Sequence, residues 1–303
     1  MLKNSMDRIK GTFTLTSMTF TQNGDVDYNA FEKLVAHLAN TGAEGVGLYG
    51  MVSEFHKLTD YEKTALSSIF LSVLKGSEAS SLLSITDWST DVAVRKAKEY
   101  QRLGVDTLML LPPFYFSPTI DEVRHHMISV LEAVDIPVLI QYAPQATGHS
   151  LPAEELVDMA AKYPNAAFKI EYKPARDYMQ KFLDMKPDMK ILTGYAGLEL
   201  IDLYKIGVAG VMPACSYTEI YVAIRQAMLN GEESKAQALY DMLEPYLIKW
   251  MVTPESILAI EKEILVRRGI IECGYCRRPA YHLTAENHTD IGEFLVKFAD
   301  YLS

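Results

Sequence analysis

The stretch Thr107-Leu-Met-Leu-Leu111 is almost wholly apolar, and two prolines, Pro112 and Pro113, follow it directly. A strand that is buried on both faces of a parallel sheet has this continuous apolar character. Proline has no backbone N–H to donate to a neighbouring strand, so the strand is expected to end there. The stretch therefore predicts an interior strand of an α/β protein.

Similar short runs recur on both sides of this stretch, about every 25 to 30 residues, with segments of helical period between them. The predicted strands are Thr12–Phe20, Gly45–Tyr49, Ser81–Thr86, Thr107–Leu111, Val138–Tyr142, Ala166–Glu171, Lys190–Thr193 and Val208–Met212. Helices are predicted near Tyr28–Thr41, after Thr59, near Ser89–Leu103 and Ile120–Val134, from about Pro152, and three or more from about Thr218 onward.

Eight strand–helix units with a helical tail are typical of a (β/α)8 TIM barrel with a C-terminal helical extension. A doubly wound open sheet usually has fewer strands. No linker rich in Pro, Gly or Ser divides the 303 residues. We therefore expect a barrel domain over residues 1–230 and a helical bundle over residues 231–303.

Charge and hydropathy exclude several classes of function. The net charge is −10 and no run is rich in Lys and Arg, which argues against nucleic acid as a partner because phosphate binding needs concentrated basic residues. No stretch approaches the roughly 20 continuous apolar residues of a membrane span. The first ten residues carry no apolar segment of the kind that marks a signal peptide.

The chain has three cysteines, Cys215, Cys273 and Cys276. A low, odd count fits a reducing compartment, so we expect a cytoplasmic protein. Cys273 and Cys276 form a Cys-x-x-Cys pair, but without a second Cys or His pair they are interpreted as ordinary thiols. The seven histidines show no metal-ligand spacing, and no metal site or cofactor is predicted.

Lys169 interrupts the apolar strand Ala166-Ala-Phe-Lys-Ile170. A lysine inside a barrel strand is costly unless it is paired or neutral, and a neutral amine is a nucleophile. The corresponding reaction is imine formation with a ketone. The alternative is a structural lysine whose ammonium pairs with Glu171, since residues two apart on a strand face the same side. We favour the pairing for Glu171, although an acid–base role stays open.

Tyr142 favours the catalytic interpretation of Lys169. It closes the predicted fifth strand, next to the strand of Lys169, and a phenol can relay protons to a carbinolamine. Tyr115, at the end of the fourth strand, is a second candidate for this role, although rim aromatics often only pack.

Several motifs together resemble the dihydrodipicolinate synthase / N-acetylneuraminate lyase family of Schiff-base aldolases. The family's G-T-T-G-E turn and its E-F-x-x-L-T continuation are similar to Gly50-Met-Val-Ser-Glu54 and Phe55-His-Lys-Leu-Thr59. Its Y-N-x-P motif resembles Tyr142-Ala-Pro144, and Lys169 matches the strand-six lysine. Weaker similarities are Pro113-Phe-Tyr115 to P-Y-Y and Arg277-Arg-Pro279 to R-x-P.

The resemblance extends over essentially the whole chain and implies a barrel with a C-terminal helical bundle, no metal requirement, and a homotetramer or homodimer. It implies that Lys169 forms the Schiff base and that Tyr142 relays protons. It also implies that the strand-two turn binds the keto-acid carboxylate through backbone N–H groups. The predicted substrate-binding residues are Met51, Val52, Ser53, Gly194 and Met212.

The chain departs from the family at positions that the resemblance assigns to the proton relay and to the binding of substrate carboxylates. Met51 and Val52 stand where the family usually has two threonines, and Ser53 stands in a glycine position. Ala146 stands where the synthases carry an arginine for the aspartate-semialdehyde carboxylate. A bidentate arginine–carboxylate contact is not replaced by an alanine.

The leading hypothesis is a lyase, either aldolase or dehydratase, acting on pyruvate or a sugar-derived 2-keto acid through Lys169. A second hypothesis is dihydrodipicolinate synthase activity, the condensation of pyruvate with aspartate semialdehyde. A third is a barrel that binds a keto acid without turning it over, since a fold alone never determines function.

Overall fold

Eight parallel strands pair in chain order and close into a barrel, in a computed structural model that describes residues 6–302. The strands are β1 (Gly11–Leu15), β2 (Gly45–Leu48), β3 (Ser80–Ser84), β4 (Thr107–Leu110), β5 (Val138–Tyr142), β6 (Ala166–Ile170), β7 (Ile191–Thr193) and β8 (Gly210–Val211). The predicted (β/α)8 fold is therefore confirmed.

Helices follow the strands, and four of them form the C-terminal part of the described chain. They are α1 (Tyr28–Ala39), α2 (Asp60–Leu74), α3 (Thr90–Leu103), α4 (Ile120–Ala133), α5 (Pro144–Thr147), α6 (Ala153–Lys162), α7 (Arg176–Met185), α8 (Leu200–Lys205), α9 (Thr218–Leu229), α10 (Glu233–Trp250), α11 (Pro254–Arg267) and α12 (Ala285–Lys297). Single 3₁₀ turns lie at Met51–Ser53, Phe55–Lys57, Tyr195–Gly197 and Ala299–Tyr301.

The predicted helical tail is confirmed, and the predicted boundary at residues 230 and 231 falls between α9 and α10. By compactness the chain divides differently. One unit joins the residues up to Gly11 with Ser80–Met212 and holds β3 to β8. The other joins Thr12–Ala79 with the chain from Pro213 onward. The division at residue 230 stays a prediction.

Local sequence explains where individual elements begin. The side chain of Thr59 accepts the backbone N–H of Glu62, and the Glu62 carboxylate accepts that of Thr59, which closes a capping box at the start of α2. This reciprocal pair satisfies two backbone donors that a helix start would otherwise leave open. The predicted capping box is confirmed.

Two strands depart most from their predicted ranges. The first was expected to continue to Phe20, but β1 ends at Leu15, and Phe20 forms an isolated antiparallel bridge with Val26 instead. The eighth was expected to begin at Val208, but the Val208 N–H donates to the carbonyl of Leu203 at the end of α8. Residues 16–20 and Val208 are buried although they lie outside the two strands. A run of buried residues therefore does not mark the last ladder hydrogen bond.

Across residues 6–302, no helix is both long enough and apolar enough to cross a membrane. The three cysteines are free thiols, of which Cys215 is buried.

Candidate active site

Lys169 lies in β6, a strand whose five residues are all buried, and only 5% of its own surface is exposed. An ammonium withdrawn from water to this degree is costly unless a counter-charge lies beside it. In the strand register Lys169 is the partner of Gln141 on β5 and of Leu192 on β7. Since side chains alternate along a strand, Gln141 shares its side of the sheet with Lys169.

Glu171 supplies the counter-charge. Its Oε1 lies 2.9 Å from Nζ of Lys169, and its other oxygen accepts a hydrogen bond of 3.1 Å from Nε2 of Gln141. The backbone N–H of Glu171 donates to the carbonyl of Tyr142, which holds the residue at the end of the strand. A hydrogen bond therefore joins Gln141 to Glu171, and an ion pair joins Glu171 to Lys169, with the carboxylate between the two.

Gly194 makes room for this carboxylate. A Cβ on Gly194 would lie 2.2 Å from Cγ of Glu171 and 2.5 Å from Oε1. Separations this short do not occur between nonbonded atoms, so any larger residue would displace the Glu171 side chain. Gly194 was predicted as a substrate-binding residue, and the structure places it directly against the partner of Lys169.

Tyr195, which the sequence did not single out, follows Gly194 in a left-handed backbone conformation with a φ of 46°. Nζ of Lys173 lies 4.5 Å from the centre of its ring. Burial, and then the negative charge of Glu171, raise the pKa of Tyr195 above its ordinary value. The phenol is thus a neutral group within the field of the Glu171 carboxylate, and a tyrosine in a loop carries no sequence signal of this kind.

Tyr142 lies at the end of β5 as predicted, but its register partner is Ile170, one residue beyond Lys169. Its hydroxyl donates to the carbonyl of Leu151 and accepts the Leu151 N–H, at 3.1 and 2.9 Å. A hydrogen bond with Tyr142 also contributes, after burial, to a raised pKa of Tyr178. The register partner of Lys169 is therefore Gln141 and not Tyr142, and the proton-relay role of Tyr142 stays a prediction.

Tyr115 lies in the segment after β4 among exposed aromatic residues. Its ring centre is 4.4 Å from that of Phe116 and 6.0 Å from that of Trp88, and Trp88 also meets Phe114 edge to face. More than half of the Tyr115 surface is exposed, at 58%. Its proton-relay role stays a prediction.

Met212 directly follows β8 and is buried. Its backbone N–H donates to the carbonyl of Thr193, the residue before Gly194. The two predicted substrate-binding residues Gly194 and Met212 are therefore joined through the end of β7.

The turn after β2 belongs to the other compact unit and forms a 3₁₀ turn over Met51–Ser53. Val52 is buried, whereas 41% of Met51 is exposed. The Ser53 hydroxyl donates to the carbonyl of Thr16 at 2.6 Å, and its backbone N–H donates to Gly50. Both Ser53 donors are thus used within the protein, and the predicted substrate-binding role of the turn stays a prediction.

Glu54 ends this turn with a left-handed φ of 47° and is completely buried. Its two carboxylate oxygens contact Nζ of Lys262 at 2.5 Å and Nζ of Lys57 at 3.1 Å. Lys262 also donates to the carbonyl of Tyr275. The sequence marks Glu54 only as a motif residue, because its partner on α11 is more than 200 residues away.

A closed (β/α)8 barrel with a carboxylate-paired lysine at the carboxyl end of a strand is the arrangement of a barrel enzyme, since the active sites of such enzymes lie at that end. The chain belongs to the dihydrodipicolinate synthetase family, whose model matches residues 8–297. Members of this family are lyases and aldolases.

Curated relatives in this family differ in their reactions. A 4-hydroxy-tetrahydrodipicolinate synthase of Heliobacterium modesticaldum is 26% identical over 242 residues, 78% of this chain and 79% of that protein. An L-2-keto-3-deoxyarabonate dehydratase of Azospirillum brasilense is 26% identical over 298 residues, 96% of this chain and 95% of that protein.

Solved structures agree with the fold. A dihydrodipicolinate synthase from Rhodopseudomonas palustris superposes with a TM-score of 0.86 at 20% identity, covering 96% of this chain and 98% of that one. A catalytic lysine mutant of the Ruminococcus gnavus sialic acid aldolase superposes with a TM-score of 0.85 at 19% identity, covering 97% of each chain.

Proposed function

We propose that the chain is a Schiff-base lyase that acts on a pyruvate-type or sugar-derived 2-keto acid through Lys169. The observation that carries this proposal is a buried amine at the carboxyl end of β6 with a carboxylate oxygen 2.9 Å from its nitrogen. An ammonium must lose a proton before it attacks a carbonyl. The Glu171 carboxylate holds the Lys169 nitrogen at the end of the strand for that attack.

The proposed chemistry begins at the C2 ketone. The Lys169 amine adds to C2 to give a carbinolamine, which takes up a proton and loses water to give a protonated imine. This imine withdraws electrons from the adjacent carbon, so that a nearby C–C or C–O bond can break. Water then hydrolyses the imine and releases the free lysine.

Tyr142 and Tyr115 are proposed to relay protons during the carbinolamine step. For Tyr142 this requires the hydroxyl to exchange its Leu151 partners for the substrate. Gly194 and Met212 are proposed to contact the keto acid, since they lie at adjacent strand ends and Gly194 packs against Glu171.

Aldolase or dehydratase activity is favoured over synthase activity by Ala146, which lies in the short helix α5. A methyl side chain cannot donate hydrogen bonds to a second carboxylate. The synthase alternative is supported by relatives that carry that name at 26% identity. A coupled assay with pyruvate and aspartate semialdehyde separates the two, because robust turnover would overturn the argument from Ala146.

The test of the central proposal is borohydride reduction in the presence of pyruvate, followed by peptide mapping. A stable adduct on Lys169 is expected in the wild type and none in Lys169→Met. Lys162→Met, on the surface of α6, is the matched control and should keep the adduct. An adduct on a different lysine, or none in the wild type, would overturn the proposal.

The remaining alternative is a barrel that binds a keto acid without turnover, and it predicts binding with no exchange of substrate protons and no release of product.

A homotetramer or homodimer is proposed for the assembly. Light scattering after size-exclusion chromatography would measure the mass, and a monomer would contradict it.

A further inference from the structure

The arrangement around Lys169 includes a group that imine formation alone does not need. Glu171 has contacts on three sides: its carboxylate meets Nζ of Lys169 and the amide of Gln141, and its side chain packs against Gly194, where no Cβ stands in its way. A carboxylate that only neutralised the lysine would need neither a second side-chain donor nor a glycine that makes room for it.

We propose that Glu171 is the catalytic base that removes a proton from C3 of the imine formed on Lys169, an assignment that rests on the proposed function. In the imine, C2 is bonded to Nζ and C3 is only two bonds from it. A carboxylate in contact with Nζ is therefore close to the hydrogens on C3. The Gln141 amide binds one carboxylate oxygen, which leaves the oxygen nearer Lys169 for the proton.

The step balances as a proton transfer. The C3–H bond breaks, the proton forms an O–H bond on Glu171, and the electron pair becomes the C2–C3 double bond of a neutral enamine. The protonated carboxyl later returns the proton to C3 or gives it to an oxygen that leaves the adjacent carbon as water. With pyruvate, which has no leaving group, only the return is available.

The position of the phenols supports Glu171 for this role. The Tyr142 hydroxyl donates a hydrogen bond to the carbonyl of Leu151 and accepts one from its N–H. The register partner of Tyr142 is Ile170 and not Lys169. The Glu171 side chain retains 16% exposure, so a solute can reach it.

The experiment is exchange of the pyruvate methyl protons in D₂O, followed by NMR, together with the borohydride adduct. Glu171→Gln should lower the exchange rate by about 100-fold or more, as expected for loss of a general base. The adduct on Lys169 should persist in this variant. Glu171→Asp should restore part of the exchange.

Two further variants separate catalysis from folding. Gly194→Ala keeps Glu171 but displaces its side chain, so exchange should fall about tenfold or more while the adduct remains. Asp177→Asn changes a carboxylate that is 81% exposed at the start of α7 and is the matched control, with unchanged exchange and adduct expected.

The outcomes are distinguishable. Exchange in Glu171→Gln within about threefold of the wild type would overturn the assignment, as would loss of the adduct together with exchange, which would place Glu171 in imine formation. An adduct without exchange in the wild type would overturn the assignment and leave the imine intact. Absence of both in the wild type would overturn the proposed function as well.

Discussion

Replacing Glu54 by glutamine tests the buried charge cluster behind the strand-two turn. Glu54 and Lys262 have no exposed side-chain surface, and the Lys57 side chain is only 7% exposed. Glutamine keeps the shape of Glu54 but leaves two buried ammonium groups without a carboxylate. Removing one partner of a buried ion pair costs about 3–5 kcal/mol, because an uncompensated charge remains.

The assay is equilibrium unfolding in urea. With an m value of about 3 kcal/mol per molar, a loss of this size lowers the midpoint by about 1–1.7 M. The double variant Glu54→Gln/Lys262→Met should be more stable than Glu54→Gln, because it also removes one of the charges left behind. Glu32→Gln, on the exposed face of α1, is the control, with a change below about 0.5 kcal/mol.

If Glu54→Gln lowered the free energy of unfolding by less than about 1 kcal/mol, the reasoning would be refuted. Such a small change would mean that the two ammonium groups are solvated or neutral without Glu54. Equal stability of the single and double variants would refute the proposed coupling between Glu54 and Lys262.

Three further predictions concern other parts of the chain. Tyr142→Phe should slow adduct formation about tenfold, because the proton-relaying hydroxyl is lost. It should also lower the free energy of unfolding by about 1–3 kcal/mol, because it leaves the buried Leu151 N–H and carbonyl unpaired. An unchanged rate of adduct formation would reject the relay. Burial lowers the pKa of His126 to about 4, so the folded protein should lose stability as the pH falls from about 6.5, the unfolded value, toward 4. Measured by unfolding at each pH, the free energy of unfolding of His126→Gln should fall less over this range than that of the wild type. An equal fall would contradict the assignment. Arg277 donates to both carboxylate oxygens of Glu62, and Arg277→Lys should cost about 1–3 kcal/mol because an ammonium cannot make the paired contact; an unchanged thermal midpoint would argue against it.

Much of the fold could be predicted because its signals are local. The alternation of apolar runs with helix-period segments predicts eight strands, and Thr59 with Glu62 predicts the start of α2. Lys169 stands out by itself, since a single charged residue within an apolar run is visible without any knowledge of its neighbours.

The candidate site depended on contacts that the sequence does not show. A pairing register can shift by one residue without changing composition, yet such a shift moves a side chain to the other face of the sheet. The structure makes Gln141 the register partner of Lys169, and Tyr142 that of Ile170, whereas the relay role of Tyr142 stays a prediction. Glu171 was predicted as a partner of Lys169, and that pairing is confirmed.

The sequence by itself determined the strand–helix alternation, the barrel class and the lysine at the end of the sixth strand. Hydrophobic period and helix capping act over a few residues, so they can be read along the chain. Only the tertiary structure decided that Gly194 makes room for Glu171 and that Glu54 meets Lys262. These contacts join residues 23 and 208 positions apart, so no local pattern along the chain predicts them.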